Sequence, residues 1–262
     1  MAKTQFQYIY GPVYSWRLGL SLGIDPIARP EKICSMDCVY CQLGKTDQLT
    51  QERRIFVAAQ EIVDEVNAFE YPQPIDYLTF SGRGEPTLAK NLGEMIRALR
   101  SCRQEKIAVI TNSTLLPDPQ VRADLFLADC VLAKLDACDA HICGAVGAPC
   151  ADFRFDKMIE SMRIFKKEFH GKFALQIMFV KENKGCAADI AALARTIGAD
   201  EIELNTPLRP CASVALTPEE MNEIKDRFDG LPVTMVYERQ RRTAQALDRE
   251  QTKKRHGQYT DS

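Results

Sequence analysis

The stretch that decides the fold lies near the middle of the chain and reads Ile107-Ala108-Val109-Ile110-Thr111-Asn112-Ser113. Its first five residues are almost continuously apolar, which is typical of a parallel strand buried on both faces. Similar β-rich runs precede and follow it at 18–24, 75–80, 131–135, 173–180 and 201–204, and a last candidate strand covers 233–237. We therefore predict a sheet built from short, buried strands.

Segments with helical spacing lie between these runs. Apolar residues recur at intervals of three and four in two of them, at Ile62, Val63, Val66 and Phe69 and again at Leu92, Met95, Ile96 and Leu99. Further helices are predicted over 118–128, 154–169, 187–197 and 218–228. The last begins with Thr217, Pro218 and Glu220, the pattern of a capping box with proline at the first helical position.

Six strand-then-helix units in succession predict an α/β fold with a parallel sheet and right-handed crossovers. Six units are too few for a closed eight-fold barrel, so we expect an open, partial (β/α)6 barrel of the TIM type. In such folds the loops that follow the strands carry the chemistry. We assign the barrel to 1–237 and a basic tail to 238–262, because seven Lys or Arg and two Asp or Glu lie between Arg239 and His256.

Composition limits the class of protein. Lys plus Arg number 34 against 36 for Asp plus Glu, so the net charge does not indicate a partner. The first residues lack the apolar core of a secretory signal, and no run of about 18 apolar residues indicates a membrane span. We therefore expect a cytoplasmic protein with no membrane partner. Ten cysteines in a reducing compartment indicate a metal site or catalysis before disulfides.

Three of the cysteines share one loop after the first predicted strand, with the spacing C-x3-C-x2-C: Cys34, Cys38 and Cys41. Loop cysteines this close converge on one metal centre. A structural zinc ion takes four protein ligands, and no fourth Cys or His lies nearby, whereas a cubane held by three cysteines leaves one iron open to a substrate. The alternative is a zinc loop completed by a distant ligand such as His141 or Cys138.

The C-x3-C-x2-C loop, with an aromatic residue before its last cysteine, resembles the radical S-adenosylmethionine (SAM) superfamily. The resemblance implies a [4Fe-4S] cluster on the three cysteines, with SAM chelated to the open iron and Tyr40 in contact with the adenine. It also implies reductive cleavage of SAM to a 5′-deoxyadenosyl radical, with electrons from a reducing partner of the flavodoxin or ferredoxin type.

Polar motifs follow several of the other strands. Gly84-Glu85-Pro86 looks like the superfamily's Gly-Glu-Pro motif, which contacts the methionine amino group, although a Gly-Pro turn alone is a weak signal. By its position Asn112 resembles a ribose-contacting residue, and the alternative is a simple helix cap. Asn205 follows the sixth strand and is assigned to the same cofactor site.

Three charged residues are candidates for catalysis. Lys134 and Asp136 alternate with apolar neighbours and are predicted to point into the barrel mouth, with a structural buried ion pair as the alternative. Arg209 follows the sixth strand and has the geometry to bind a carboxylate or phosphate through two hydrogen bonds. The alternative for Arg209 is an ordinary surface residue of a loop.

Three longer sequence runs indicate which subgroup of the superfamily the chain resembles; they lie at 10–24, 37–44 and 81–87. Together they look like the subgroup that contains the wyosine-forming tRNA enzymes, over residues 8 to about 210. Those enzymes bind a second cluster through three cysteines before the radical motif, but no cysteine precedes Cys34 here. We therefore carry over the chemistry without the substrate.

The surplus cysteines suggest a second metal centre. Cys138, Cys143 and Cys150 share the loop after the fourth strand, so we predict a second iron–sulfur cluster on them, with Cys211 as a candidate fourth ligand. The alternative is a loop that simply tolerates cysteine. Cys102 and Cys130 fall at the end of a predicted helix and the start of a predicted strand, so we predict that they are small buried hydrophobes at the opposite, structural face.

Three functional hypotheses follow from these patterns. The first is a radical SAM enzyme that modifies tRNA or another RNA, for which the basic tail would bind phosphates. The second is a radical SAM enzyme that acts on a small molecule or a protein side chain. The third is a non-catalytic zinc or RNA-binding module.

Overall fold

The structure is a computed structural model that describes residues 6–238, 244–246 and 248–256. The strands are β1 (Ile9–Ser15), β2 (Gly19–Ile24), β3 (Ile33–Cys34), β4 (Gln48–Leu49), β5 (Tyr77–Phe80), β6 (Lys106–Thr111), β7 (Cys130–Lys134), β8 (Lys172–Met178), β9 (Glu201–Asn205) and β10 (Val233–Met235). The helices are α1 (Ala59–Asn67), α2 (Leu92–Cys102), α3 (Pro119–Leu125), α4 (Ala140–Gly147), α5 (Phe155–Glu168), α6 (Ala187–Ile197), α7 (Pro218–Asp226) and α8 (Arg249–His256).

One sheet of eight strands organises the molecule, in the order β1-β2-β5-β6-β7-β8-β9-β10. From β2 to β10 every neighbouring pair is parallel, and the sheet curls into a half-barrel. The predicted α/β partial barrel is confirmed. The six predicted strands are all present, and the candidate strand at 233–237 is shortened to β10.

The strand β1 was not predicted. It pairs antiparallel with β2, and the register shifts between Tyr10 and Val13, where Gly11 and Pro12 interrupt the strand. A proline cannot donate a ladder hydrogen bond, so strands that contain one are confined to sheet edges. That interruption hid the strand from a search for continuous apolar runs.

The helices cover the outer face of the sheet. The capping box predicted at Thr217 is confirmed, since its side chain accepts a hydrogen bond from the backbone N–H of Glu220 at 3.2 Å and Glu220 bonds back to the backbone N–H of Thr217. Helix α4 was not predicted, because two glycines and a weak apolar periodicity disguise it in the sequence.

The inner face of the half-barrel begins with a small apolar plug of Leu18, Ala108, Cys130, Leu132 and Ala174. Cys130 is buried in this plug, as predicted, whereas the prediction that Cys102 is buried is wrong, because it lies exposed at the end of α2. Because the plug fills the amino-terminal end of the barrel, the remaining space opens toward the carboxyl ends of the strands.

The predicted basic tail is described only in part, since 239–243, 247 and 257–262 lie outside the described residues. Its helix α8 packs against β1. The hydroxyl of Thr252 accepts a hydrogen bond from the backbone N–H of Gly11 at 2.9 Å, and the Nε of Arg255 donates to the buried carboxylate of Asp25 at 3.0 Å. Among the helices described here, none has the length and apolar character needed to cross a membrane.

Candidate active site

A cavity of about 320 Å³ opens at the carboxyl ends of the strands. This volume falls in the range of small-molecule sites. The three loop cysteines line it together with most of the other residues predicted to form the site, namely Tyr40, Gly84, Glu85, Asn112, Lys134, Asn205 and Arg209. Two predicted residues do not line it: Pro86 starts a short 3-10 helix, and Asp136 lies behind Tyr40 and Lys134.

The cysteine loop is held from both sides by backbone contacts. Ile33 in β3 forms an isolated parallel bridge with Gly84, and Met36 forms an antiparallel bridge with Pro149. The backbone N–H of Val39 donates to the carbonyl of Val146 at 3.0 Å. The loop is therefore clamped between the turn after β5 and the end of α4.

Gly84 is required by close approach of two backbone segments. A Cβ atom at this position would lie 1.9 Å from the carbonyl oxygen of Ile33, which no side chain tolerates. The backbone N–H of the next residue, Glu85, donates to the same oxygen at 3.2 Å. The glycine predicted to face the cofactor thus also seats the strand that leads into Cys34.

The carboxylate of Glu85 is buried and bonded by the protein itself. It accepts hydrogen bonds from the backbone N–H of Asn112 at 2.7 Å, from the hydroxyl of Thr111 at 2.7 Å, and from both the backbone N–H and the hydroxyl of Thr87 at 3.1 and 2.6 Å. Burial raises its pKa above the usual range, and these bonds oppose that shift. Glu85 therefore joins the turn after β5 to the end of β6.

Asn112 contacts a cysteine of the loop. Its Oδ1 accepts from the backbone N–H of Thr114 at 3.0 Å, and because that group only donates, the orientation of the amide is fixed. Its Nδ2 consequently faces the Sγ of Cys34 at 3.5 Å and the hydroxyl of Ser35 at 2.9 Å. The amide predicted to contact the ribose is occupied by the protein.

Tyr40, Lys134 and Asp136 form one buried network. The Tyr40 hydroxyl donates to Asp136, and the Nζ of Lys134 lies 3.4 Å from the same carboxylate and 4.7 Å from the centre of the Tyr40 ring. Burial is the main cause that holds the pKa of Tyr40 well above its usual value. Lys134 and Asp136 form the ion pair that the sequence offered as the alternative, and Lys134 also lines the cavity.

The loop after β9 covers the cysteine loop. The guanidinium of Arg209 donates to the side-chain oxygen of Gln42 at 2.6 Å, next to Cys41 in the sequence. Asn205 turns its side-chain oxygen to the backbone N–H of Thr206 at 2.9 Å, while its side chain lines the cavity. Arg209 is therefore part of the cavity wall.

The cysteines predicted to hold a second cluster are dispersed over α4 and the loops and do not line the cavity. Cys138 lies beside the thiol of Cys186, whereas Cys143 packs on Met36 and Ala137. The backbone N–H of Cys150 donates to the carbonyl of Ser35, and the Cys211 thiol donates to the carbonyl of Ser213. In the described parts of the chain, no three His, Cys, Asp or Glu side chains gather closely enough to hold a single metal ion.

The three loop cysteines fit an iron–sulfur cluster by their chemistry. A cubane binds each thiolate to a different iron, so its ligands lie further apart than those of one ion. Burial raises the pKa of Cys34 to about 12 and that of Cys38 to about 11, so without a metal these thiols are protonated at neutral pH. A bound metal centre removes those protons. The metal ligands would be three sulfurs of one loop, and the side-chain amide of Asn112 donates a hydrogen bond to the sulfur of Cys34.

Several cavity residues were missed in the sequence. Trp16, Arg17, Gln176 and Arg255 all line the cavity, and Glu203, which is buried and not part of the lining, lies next to Gln176 on the neighbouring strand. Alternation in Glu201-Ile202-Glu203-Leu204-Asn205 was a usable signal, because every second side chain of a barrel strand faces inward. Arg17 and Arg255 carried no such signal, since they come from a turn and from α8.

Similarity to known proteins agrees with this geometry. A family model described as the Radical SAM superfamily matches residues 30–194. The UPF0026 protein slr1464 of Synechocystis sp. is 37% identical over 235 residues, which cover 89% of this chain and 88% of the relative.

Solved structures show the same fold. A radical SAM methyltransferase from Sphaerobacter thermophilus matches with a TM-score of 0.62 at 18% sequence identity. The match covers 82% of this chain and 65% of the methyltransferase chain. Archaeal TYW1 matches with a TM-score of 0.57 at 15% sequence identity, and the match covers 80% of this chain and 71% of the TYW1 chain. The cavity, its cysteine loop and the matches over most of the sequence agree: the chain belongs to the radical SAM superfamily and to its UPF0026 proteins, and it is an iron–sulfur radical SAM enzyme.

Proposed function

We propose that Cys34, Cys38 and Cys41 hold a [4Fe-4S] cluster whose open iron binds SAM. When bound and reduced, this cluster supplies the electron that cleaves a carbon–sulfur bond of SAM and yields a 5′-deoxyadenosyl radical. The observation that carries the proposal is that three thiols of one clamped loop open into a single cavity with the Gly84 turn. No other cysteine lines this cavity among the described residues.

The chain's own residues divide into two groups around that cavity. We assign Tyr40, Gly84, Glu85, Pro86, Asn112 and Asn205 to the cofactor side, where Glu85 and Asn112 act by fixing the strand ends and Cys34. We assign Lys134, Asp136 and Arg209 to the substrate side. The ten cysteines are free thiols, which supports a reducing cytoplasm and an electron donor of the flavodoxin or ferredoxin type.

Cys38→Ala should abolish formation of 5′-deoxyadenosine while the fold survives, because the loop sits at the rim of a core built by strands and helices. The measurement is anaerobic incubation of reconstituted protein with dithionite and SAM, followed by mass spectrometry. The control is Cys102→Ala, which removes an exposed thiol at the end of α2 and should keep full activity. SAM cleavage by Cys38→Ala, or tight zinc without iron in the unmutated protein, would refute the cluster assignment.

The second cluster on Cys138, Cys143 and Cys150, with Cys211 as fourth ligand, stays a prediction. It requires the described thiols to move together, since they are dispersed in the structure. Iron and sulfide counts on reconstituted protein decide it. Two cubanes give about eight irons per chain, falling to about four when Cys143 and Cys150 become Ala, whereas about four irons in the unmutated protein end the idea.

Asn112→Ala should lower the midpoint potential of the cluster, because it removes an N–H donor from the Cys34 sulfur and such hydrogen bonds stabilise the reduced state. Asn112→Asp should lower it further, since it replaces the donor with a negative charge. The measurement is a redox titration followed by electron paramagnetic resonance. Ser35→Ala removes the other acceptor of the amide and serves as control. An unchanged potential in both Asn112 variants would contradict the assignment.

The substrate divides into two hypotheses. A tRNA or other RNA substrate is supported by helix α8, where Lys253 and Lys254 are exposed on the same helix that places Arg255 in the cavity wall. It also agrees with the resemblance to the wyosine-forming enzymes. A small-molecule substrate is supported by the enclosed polar base of the cavity.

The RNA hypothesis predicts that the pair Lys253→Glu and Lys254→Glu weakens tRNA binding and flattens its salt dependence. Loss of two phosphate contacts should reduce the slope of log K against log salt concentration by about 2. The measurement is a gel shift of tRNA over a salt series. The matched control reverses Lys157 and Lys167, two exposed lysines of α5. Equal slopes in both double variants would argue for the small-molecule hypothesis.

A further inference from the structure

The base of the cavity is a layer of polar side chains above the apolar plug. Lys134 of β7 pairs with Gln176 of β8, and Gln176 pairs with Glu203 of β9. Leu132 of β7 and Ala174 of β8 come two residues earlier than Lys134 and Gln176, and both belong to the apolar plug. The three polar side chains therefore lie side by side on the inner face, and Lys134 and Gln176 line the cavity.

Arg17 completes this layer from the other edge of the sheet. It lies in the turn between β1 and β2, and its Nε is 3.6 Å from the Oε2 of Glu203. The side chain of Arg17 is 16% exposed and that of Glu203 is 2% exposed. An ion pair thus crosses the inside of the half-barrel, below the level of the cysteine loop.

This ion pair lacks hydrogen bonds. Within the described residues, neither the buried Nε of Arg17 nor the buried Oε2 of Glu203 has a hydrogen-bond partner. A separation of 3.6 Å is too long for a hydrogen bond between them. Burial raises the pKa of Glu203 to about 7, and Arg17 is the main group that opposes this shift. Buried charged groups are normally bonded, so this layer fits a ligand that supplies the missing partners.

We propose that Arg17 and Glu203 bind the substrate, and that it is a compact carboxylate with a hydroxyl or amino group on the neighbouring carbon; its role as substrate rests on the function proposed above. Arg17 only donates hydrogen bonds, so it selects the carboxylate. Above its raised pKa Glu203 is ionised and only accepts, so it selects the adjacent O–H or N–H. Their 3.6 Å separation matches groups on adjacent carbons.

The layer is separate from the site assigned to SAM. Met178 and Asn205 stand two residues beyond Gln176 and Glu203 along β8 and β9, which is about 6.6 Å nearer the carboxyl ends. Asp136 follows the end of β7 and accepts a hydrogen bond from the backbone N–H of Met178. The cysteine loop meets the strands at that upper level, through Tyr40 and Asp136. A molecule held by Arg17 would therefore lie beneath the cofactor.

The chain carries its own reporter for this site. Trp16, its sole tryptophan, lines the cavity, and the guanidinium carbon of Arg17 is 5.2 Å from the centre of its ring. The experiment titrates the full chain with glycolate, acetate and glycolamide at constant ionic strength and follows tryptophan fluorescence. Glycolate offers both groups, acetate only the charge, and glycolamide only the hydroxyl beside a neutral carbonyl. We expect glycolate to bind at least tenfold more tightly than either of the others.

Substitutions connect the signal to the two residues. Arg17→Gln should weaken glycolate binding at least tenfold, and Glu203→Gln should reduce the preference for glycolate over acetate to less than threefold. Arg97→Gln, an exposed arginine on α2, is the control and should leave binding unchanged. If circular dichroism shows that Arg17→Gln does not fold, Arg17→Lys replaces it, because it keeps the charge but loses the planar donors.

Three results would overturn the inference: no saturable fluorescence change, equal affinity for the three probes, or competition between glycolate and saturating SAM. Competition would assign the layer to the methionine part of SAM. The titration with the three probes does not require the cluster, so it is independent of iron content and SAM cleavage, whereas the competition with SAM uses reconstituted protein. If the protein cleaves SAM but does not bind glycolate, the proposed function stands and the proposed substrate class is wrong.

Discussion

The buried carboxylate of Glu85 is the constraint on which the rest of the site depends. It lies in the turn that follows β5 and is bonded by donors at the end of β6, so it ties this turn to the end of the neighbouring strand. With the backbone of Asn112 fixed by Glu85, its amide can reach the sulfur of Cys34. On the other side, the same turn places Gly84 against Ile33. One desolvated charge therefore sets both the strand ends and the seat of the cysteine loop, because it must satisfy its own hydrogen bonds.

The inner face of the sheet is ordered by polarity along the barrel axis. Apolar side chains such as Leu132 fill the amino-terminal end, charged and amide side chains such as Gln176 come next, and the cysteine loop covers the top. Parallel strands in register make this possible, since each strand contributes every second residue to a common layer. The outer face packs against helices, and its side chains show no such change from apolar to polar along the barrel axis. The chemistry is confined to one end of one face.

Much of this architecture could be predicted from the sequence, because each buried parallel strand corresponds to a short run of apolar residues. The run at 107–111 became β6 with a change of one residue, and the capping pattern at Thr217 gave the start of α7. The interrupted strand β1 was missed, as was the ion pair between Arg17 and Glu203. The strand depends on an edge proline that interrupts its apolar pattern. The inward position of Glu203 follows from the alternation in its strand, but its contact with Arg17 joins distant parts of the chain and leaves no local signal.

The contact between Arg17 and Glu203 also has a consequence for the order of folding. Most neighbouring strands of the sheet follow one another in the chain, so the sheet can grow by successive local closures. The ion pair instead joins the first hairpin to β9, and it closes a far longer loop at a greater entropic cost. We therefore expect the floor of the cavity to form late, after the sheet and its outer helices are in place.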